Sequence, residues 1–232
     1  MSKLYLGKRV VTFGSGAKYP WNMLSNFNSA KFSVHRHQLD EQILKIYPNL
    51  ADWIGEQGVS FASSEHFWQS LKAMNERTFK QFTIGGRFGC DHFDEQLFVP
   101  FFGSIDKARK KHAYWKKKQN VGVIAKMATN RAHANKLGIH GSIRYLANRL
   151  EEAKEKAVWK CILKSKFLAN PEHMKVLQST KDDYLLEFDR SARSKAMKNQ
   201  AVPHWGGFID KDGRLYGDNM MGLYLMCIRD QL

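Results

Sequence analysis

Glu65, Gln69 and Lys72 lie within Ser63-Ser64-Glu65-His66-Phe67-Trp68-Gln69-Ser70-Leu71-Lys72. A carboxyl group can give and take protons, an amide can orient it, and an amine can hold a phosphate or attack an opened sugar aldehyde. The serine pair offers an N-cap oxygen, and Phe67, Leu71 and Met74 recur at helical spacing. At ~100° of rotation per residue, Glu65, Gln69 and Lys72 then share one side of a helix. Glu65 falls in the first turn, where the helix dipole favours its anion. Spacing alone fits two readings: the working face of a polar site, or the solvated side of an amphipathic helix. Glu65 and Lys72 would be roughly 10 Å apart along the axis at 1.5 Å rise per residue, within reach of two long side chains.

Other residues are candidates to meet that stripe. Asn26 is a polar break in Leu24-Ser25-Asn26-Phe27, inside an aromatic segment that begins at Trp21. Trp205-Gly206-Gly207 sets a ring suited to stacking a base beside backbone that a phosphate can approach closely. Gly217-Asp218-Asn219 precedes a helical pattern and could hold a phosphate or a ribose hydroxyl. A plain N-cap at Asn219 and a core aromatic at Trp205 are the simpler alternatives. Walker, GxGxxG and GxSxG motifs are absent from the sequence. The set suits cleavage of a glycosidic bond, which needs a carboxyl group for proton transfer and stabilisation of an oxocarbenium-like sugar. A lysine with a lowered pKa could instead form a Schiff base.

The 232 residues carry a formal net charge of +15, with 43% hydrophobic and 12% aromatic residues. A sizeable core and an anionic partner are both expected. Lys107, Arg109, Lys110, Lys111, Lys116, Lys117 and Lys118 crowd one segment, interleaved with His112, Tyr114 and Trp115. That composition fits a surface tracking phosphates, or a solubilising helix face. No helix-turn-helix, zinc-finger or RNP motif accompanies it. Three widely spaced cysteines and nine histidines without HExxH or paired spacing give no disulfide framework and no metal site, and no cofactor is expected. The absence of a long apolar run and of a leader pattern at the N-terminus leads us to expect a cytoplasmic protein without a membrane partner.

Three strands are expected around 9–13, 31–34 and 58–62, then an irregular region over 76–105. Thr129 is expected to cap a short helix that Gly138 ends. Ser142 should cap a long helix towards Pro171, with Ile143, Leu146, Leu150, Ala153, Ala157 and Cys161 on its apolar side. Pro171 should open the next helix. A hairpin over Asp210-Lys211-Asp212-Gly213 and a last helix after Asn219, with Leu223, Met226 and Cys227 inward, complete the pattern. No linker or repeat divides the chain, so one domain over 1–232 is expected.

Several ordered segments resemble the NADAR family (NAD- and ADP-ribose-associated, also called YbiA-like). They are Leu24-Ser25-Asn26-Phe27, Ser64-Glu65-His66-Phe67-Trp68-Gln69-Ser70-Leu71-Lys72, Ala134-Asn135-Lys136-Leu137-Gly138 and Lys166-Phe167-Leu168-Ala169-Asn170-Pro171. Leu177-Gln178-Ser179-Thr180, Leu185-Leu186-Glu187, Trp205-Gly206 and Gly217 through Arg229 follow. The resemblance implies a predominantly helical α+β fold with a small β component. It implies an N-glycosidase that removes ADP-ribose from ADP-ribosylated guanine in nucleic acid. A hydrolase of phosphorylated riboflavin-pathway intermediates and a non-catalytic module binding ADP-ribose or NAD are the alternatives it leaves. The family's Glu falls on Glu65, its lysine on Lys72, its Trp-Gly pair on Trp205 and Gly206, and its Asn on Asn219. With Asn26, Phe27, His66, Gln69 and Asp218, these complete the expected site. The chain departs from the family's pattern in an inserted basic stretch over 189–198, which suits a larger anionic substrate.

Overall fold

The structure is a computed structural model describing residues 4–89, 94–145 and 152–232. It is about 51% helical with 12% strand, which makes it predominantly helical α+β. Backbone contacts group the chain into two compact units, Met1–Ser25 with Pro171–Leu232, and Asn26–Asn170.

The first unit opens with β1 (Leu4–Tyr5) and β2 (Lys8–Phe13), paired antiparallel. The chain then builds the second unit before returning to the first.

In the second unit β3 (Phe32–Val34) precedes α1 (Glu41–Ile46) and α2 (Leu50–Ile54), and β4 (Val59–Phe61) leads into α3 (Ser64–Ser70). β3 and β4 pair antiparallel with Phe32 opposite Phe61. Alternation turns Phe32, Val34, Val59 and Phe61 inward and leaves Ser33 and Ser60 sharing a 2.7 Å hydrogen bond on the other face. Phe61 stacks on Phe67 of α3 at 4.7 Å. Burying each such ring contributes roughly 1.5–3 kcal/mol, so the hairpin fixes which face of α3 turns into the core. The opposite face of the hairpin stays polar.

After α4 (Glu76–Lys80) come α5 (Glu95–Phe102), α6 (Ile105–Lys117), α7 (Gly122–Thr129), α8 (Arg131–Lys136) and α9 (Glu152–Ala169). α3 packs between α7 and α9, and Trp68 stacks on Trp159 of α9 at 5.1 Å. Phe82, Phe88, Phe98, Trp115, Ile124 and Ala128 form a second apolar cluster beneath α5 to α8.

The first unit resumes with α10 (Pro171–Ser179), β5 (Tyr184–Glu187), α11 (Ser191–Met197), the hairpin β6 (Phe208–Ile209) and β7 (Leu215–Tyr216), and α12 (Met220–Arg229). β5 pairs parallel with β2, Val10 opposite Tyr184, giving the order β1-β2-β5. Asp210 ties the hairpin turn by accepting from the Asp212 and Arg214 amides, both at 2.9 Å.

The expected strands, the hairpin and the helices opened by Pro171 and Asn219 are present. Four expectations are corrected. Residues 76–105 contain α4 and α5, because Asn75 and Asp94 cap them and Phe79 and Phe98 are fully buried. Asn130 rather than Thr129 caps α8, accepting from the Ala132 and His133 amides. Ser142 belongs to a 3-10 turn, and Ile143 bridges Ala73. Leu146 and Leu150 lie outside the described residues. In α12 the buried residues are Met221, Gly222, Tyr224, Leu225 and Ile228, while Leu223 is 41% exposed. Among the described residues no helix is long and apolar enough to cross a membrane.

Gly222 seats α12 on β5, since a Cβ there would lie 2.1 Å from the Leu185 carbonyl oxygen. Gly222→Ala is therefore expected to destabilise the fold by about 3 kcal/mol or more through enforced overpacking. Urea denaturation of the two proteins checks this.

Candidate active site

α3 begins where the β4 chain turns, with the Ser63 side chain accepting from the His66 amide. This places Glu65 in the first turn, 3% exposed. Its carboxyl is held by two amides. Asn26 Nδ2 donates to Oε2 at 2.5 Å, and Gln69 Nε2 donates to Oε1 at 2.6 Å. Gln69 is itself held, because Thr129 Oγ1 donates to its Oε1 at 2.6 Å. The main chain ties the same partners: the Glu65 amide donates to Asn26 O at 3.0 Å. Asn26 Oδ1 is buried without a hydrogen-bond partner.

Gly122, at the start of α7, lets this cluster close. A Cβ there would lie 2.8 Å from Glu65 Cβ, 2.8 Å from Phe27 Cα and 3.0 Å from Ser63 Oγ. Its amide donates to Phe27 O at 3.1 Å. One turn on, Lys126 sets its Nζ 5.0 Å from the centre of the Phe27 ring, a cation–π contact.

Burial pushes the Glu65 carboxyl above its ordinary pKa. The Lys126 charge, the Gln69 hydrogen bond, the Lys72 charge and the Asn26 hydrogen bond pull it back without cancelling the rise. Lys72 shifts the other way. Burial lowers its pKa, Glu65 opposes that, and Lys126 adds to it. The site thus pairs an acid that keeps its proton unusually long with an amine that releases its own unusually early.

The sequence placed Lys72 on the α3 helix, but α3 ends at Ser70 with Leu71 as its C-cap. Lys72 lies in the following turn, its amide donating to Gln69 O and its carbonyl accepting from Arg144 N. Lys72 thus follows the C-cap of α3 in a turn that continues from the helix, and its charge still acts on Glu65.

Asn26, Phe27, Glu65, His66, Gln69 and Lys72 all lie in the second unit. His66 acts as a pin. Its ring is fully buried, with Nδ1 2.8 Å from Ser63 Oγ and Nε2 3.1 Å from the Phe88 carbonyl. Burial lowers its pKa to about 4, so the neutral ring donates from Nε2 to Phe88 O and accepts at Nδ1.

Trp205, Gly206, Asp218 and Asn219 lie in the first unit. Asn219 is fully buried in a left-handed conformation, with φ 52°. Its side chain accepts from the Glu187 amide at 2.9 Å and donates to the Leu185 carbonyl at 2.8 Å and Tyr184 Oη at 3.1 Å. The amide is spent on β5, and it caps no helix. Asp218 Oδ2 lies 3.0 Å from His204 Nδ1, and the His204 ring meets Trp205 edge-on at 5.0 Å. Gly206 is required by packing, as a Cβ would lie 2.6 Å from Glu187 O.

Lys126, Thr129, Gly122 and Ser63 were not singled out from the sequence as site residues. Lys126 and Thr129 share one side of α7 at i,i+3 spacing, but nothing local says that this side meets α3. No model of a known protein family matches the chain, and no curated protein is similar to it.

The Glu65 shift has a signed consequence for stability. Between the ordinary value of 4.5 and the raised folded value, the folded chain keeps a proton that the unfolded chain has released. That contribution is full below the ordinary carboxylate range and is lost as pH rises through the folded value. Lys72, lowered from 10.5, has the opposite sign, gaining stability as pH rises in the window below 10.5. Glu65→Gln should remove the acid-side decline, which is on the order of 1 kcal/mol per pH unit inside its window. The turned amide of Asn26 can offer Oδ1 to the new NH2 group. As pH rises above the ordinary carboxylate range, thermal unfolding midpoints of the parent should fall relative to those of the variant.

Proposed function

We propose that the chain is an N-glycosidase that hydrolyses the bond between ribose C1 and a base nitrogen, removing ADP-ribose from ADP-ribosylated guanine in nucleic acid. The observation that carries this reading is Glu65, a buried carboxyl with a raised pKa, oriented by two amides beside two lysines. A general acid needs to hold its proton until the leaving group takes it. Burial supplies that retention here, and the amides fix the direction in which the carboxyl points.

In the forward step the C1–N bond breaks with its electron pair going to the base nitrogen, and Glu65 delivers a proton to that nitrogen. The carboxylate left behind faces the electron-poor sugar carbon and lowers its energy. Water then adds to C1, and its proton returns to Glu65. One water is consumed, and the products are ADP-ribose, with a hydroxyl at C1, and unmodified guanine still in its strand. Lys72 and Lys126 offer cations for the phosphates of ADP-ribose. A Lys72 amine that loses its proton early also fits attack on the opened sugar aldehyde.

Mass spectrometry of ADP-ribosylated guanine in a short DNA strand tests the reading. The parent should release ADP-ribose, and Glu65→Gln should slow release by about 10²–10⁴-fold. Lys72→Arg should keep most of the activity if the charge alone matters, and lose it if the amine forms a covalent bond. Binding of ADP-ribose without release by the parent would make the chain a reader. Release only from a small ribose phosphate would move the substrate to free metabolites.

A further inference from the structure

We propose that a basin on the outer face of α6 docks single-stranded nucleic acid, one unpaired base resting among aromatic rings while lysines hold the flanking phosphates. This deepens the glycosidase reading, resting on it for the nature of the substrate, but its binding test stands apart from turnover.

α6 turns Ala108 and Trp115 into the core. At ~100° per residue, Lys107, Lys110, Lys111 and Tyr114 fall within a sector ~100° wide, to one side of that inward face. With Phe102 at the end of α5, they line a basin of about 460 Å³. Phe102 rests against Trp115 at 5.9 Å, so the apolar wall is anchored in the core. Tyr114 is 54% exposed, so its ring beside the basin is open to a planar partner. Helical spacing also sorts the seven basic residues expected to touch nucleic acid. Arg109 and Lys116 lie on the far flank, and Arg109 pairs with Glu95 at 2.7 Å.

The occupant follows from charge and shape. Three cations around an open aromatic face match a strand whose phosphates alternate with flat bases. A duplex keeps both faces of each base covered, so it cannot use the ring. A membrane-surface helix would turn several large apolar residues outward, whereas this sector carries one aromatic among three lysines. An acidic peptide would meet the lysines but has no base for the ring.

Fluorescence anisotropy with a labelled oligothymidylate of about 15 nucleotides tests the proposal. The competitors are inorganic polyphosphate, polyglutamate, a duplex of equal length and anionic vesicles. The expected outcome has two parts. Tyr114→Ala weakens oligothymidylate binding about tenfold or more, while Tyr114→Phe does not and polyphosphate binding stays unchanged. The triple variant Lys107→Gln, Lys110→Gln, Lys111→Gln lowers the slope of log affinity against log salt by about 2, at ~0.7 per phosphate contact on a single strand. All these positions face solvent, so thermal unfolding of each variant should match the parent. The proposal is overturned if Tyr114→Ala leaves oligothymidylate affinity unchanged. It is equally overturned if any of the four competitors displaces the strand as well as unlabelled oligothymidylate does. Turnover of an ADP-ribosylated mononucleoside should be unaffected in the triple variant. An inactive parent that still binds the strand through Tyr114 would remove the glycosidase reading and leave this one.

Discussion

The arrangement in the second unit depends on keeping one carboxyl group out of water in the interior. Taking Glu65 out of water would be prohibitively costly for a bare anion, so the fold must supply hydrogen bonds or let the group stay protonated. It does both. Asn26 and Gln69 donate to the two carboxyl oxygens, and burial still wins, leaving the pKa raised. The lysines limit the rise without abolishing it. That balance, strong burial against moderate charge support, is what separates this carboxyl from an ordinary buried ion pair, where opposite charges would drive the pKa down.

Keeping that carboxyl in place recruits the surrounding elements. The β3–β4 hairpin fixes α3 through Phe61 on Phe67. Ser63 and His66 lock the first turn, and His66 reaches on to Phe88. α7 comes close because Gly122 has no side chain, and it then presents Thr129 to Gln69 and Lys126 to the carboxyl. A packing residue and a polar relay thus sit on one helix, so a change in how α7 seats would alter the chemistry of Glu65 directly.

Local signals in the sequence marked the elements well where they were local in origin. The Asp210–Gly213 turn, the Pro171 helix start and the alternating strands follow from turn and cap chemistry acting over a few residues. β5 was not expected as a strand because Tyr184-Leu185-Leu186 has no alternation, being buried on both faces. α5 was hidden by Pro100 and its aromatic run. At the site, Glu65 and Gln69 could be paired by their spacing of four. Asn26 and Thr129 reach them from 39 and 60 residues away, and no periodicity carries that information. Asn219 and His66 illustrate the converse: polar types that suggest ligand contact were spent on the backbone of β5 and on the turn at Phe88.

Burial makes Glu65 an acid that retains its proton. Carbon-13 NMR titration of the glutamate side-chain carboxyls, with the Glu65 signal assigned by its loss in Glu65→Gln, measures this directly. The Glu65 midpoint should lie clearly above those of the exposed glutamates. A midpoint at or below the ordinary value of 4.5 would contradict it, because the carboxyl would then have given up its proton before any leaving group could take it.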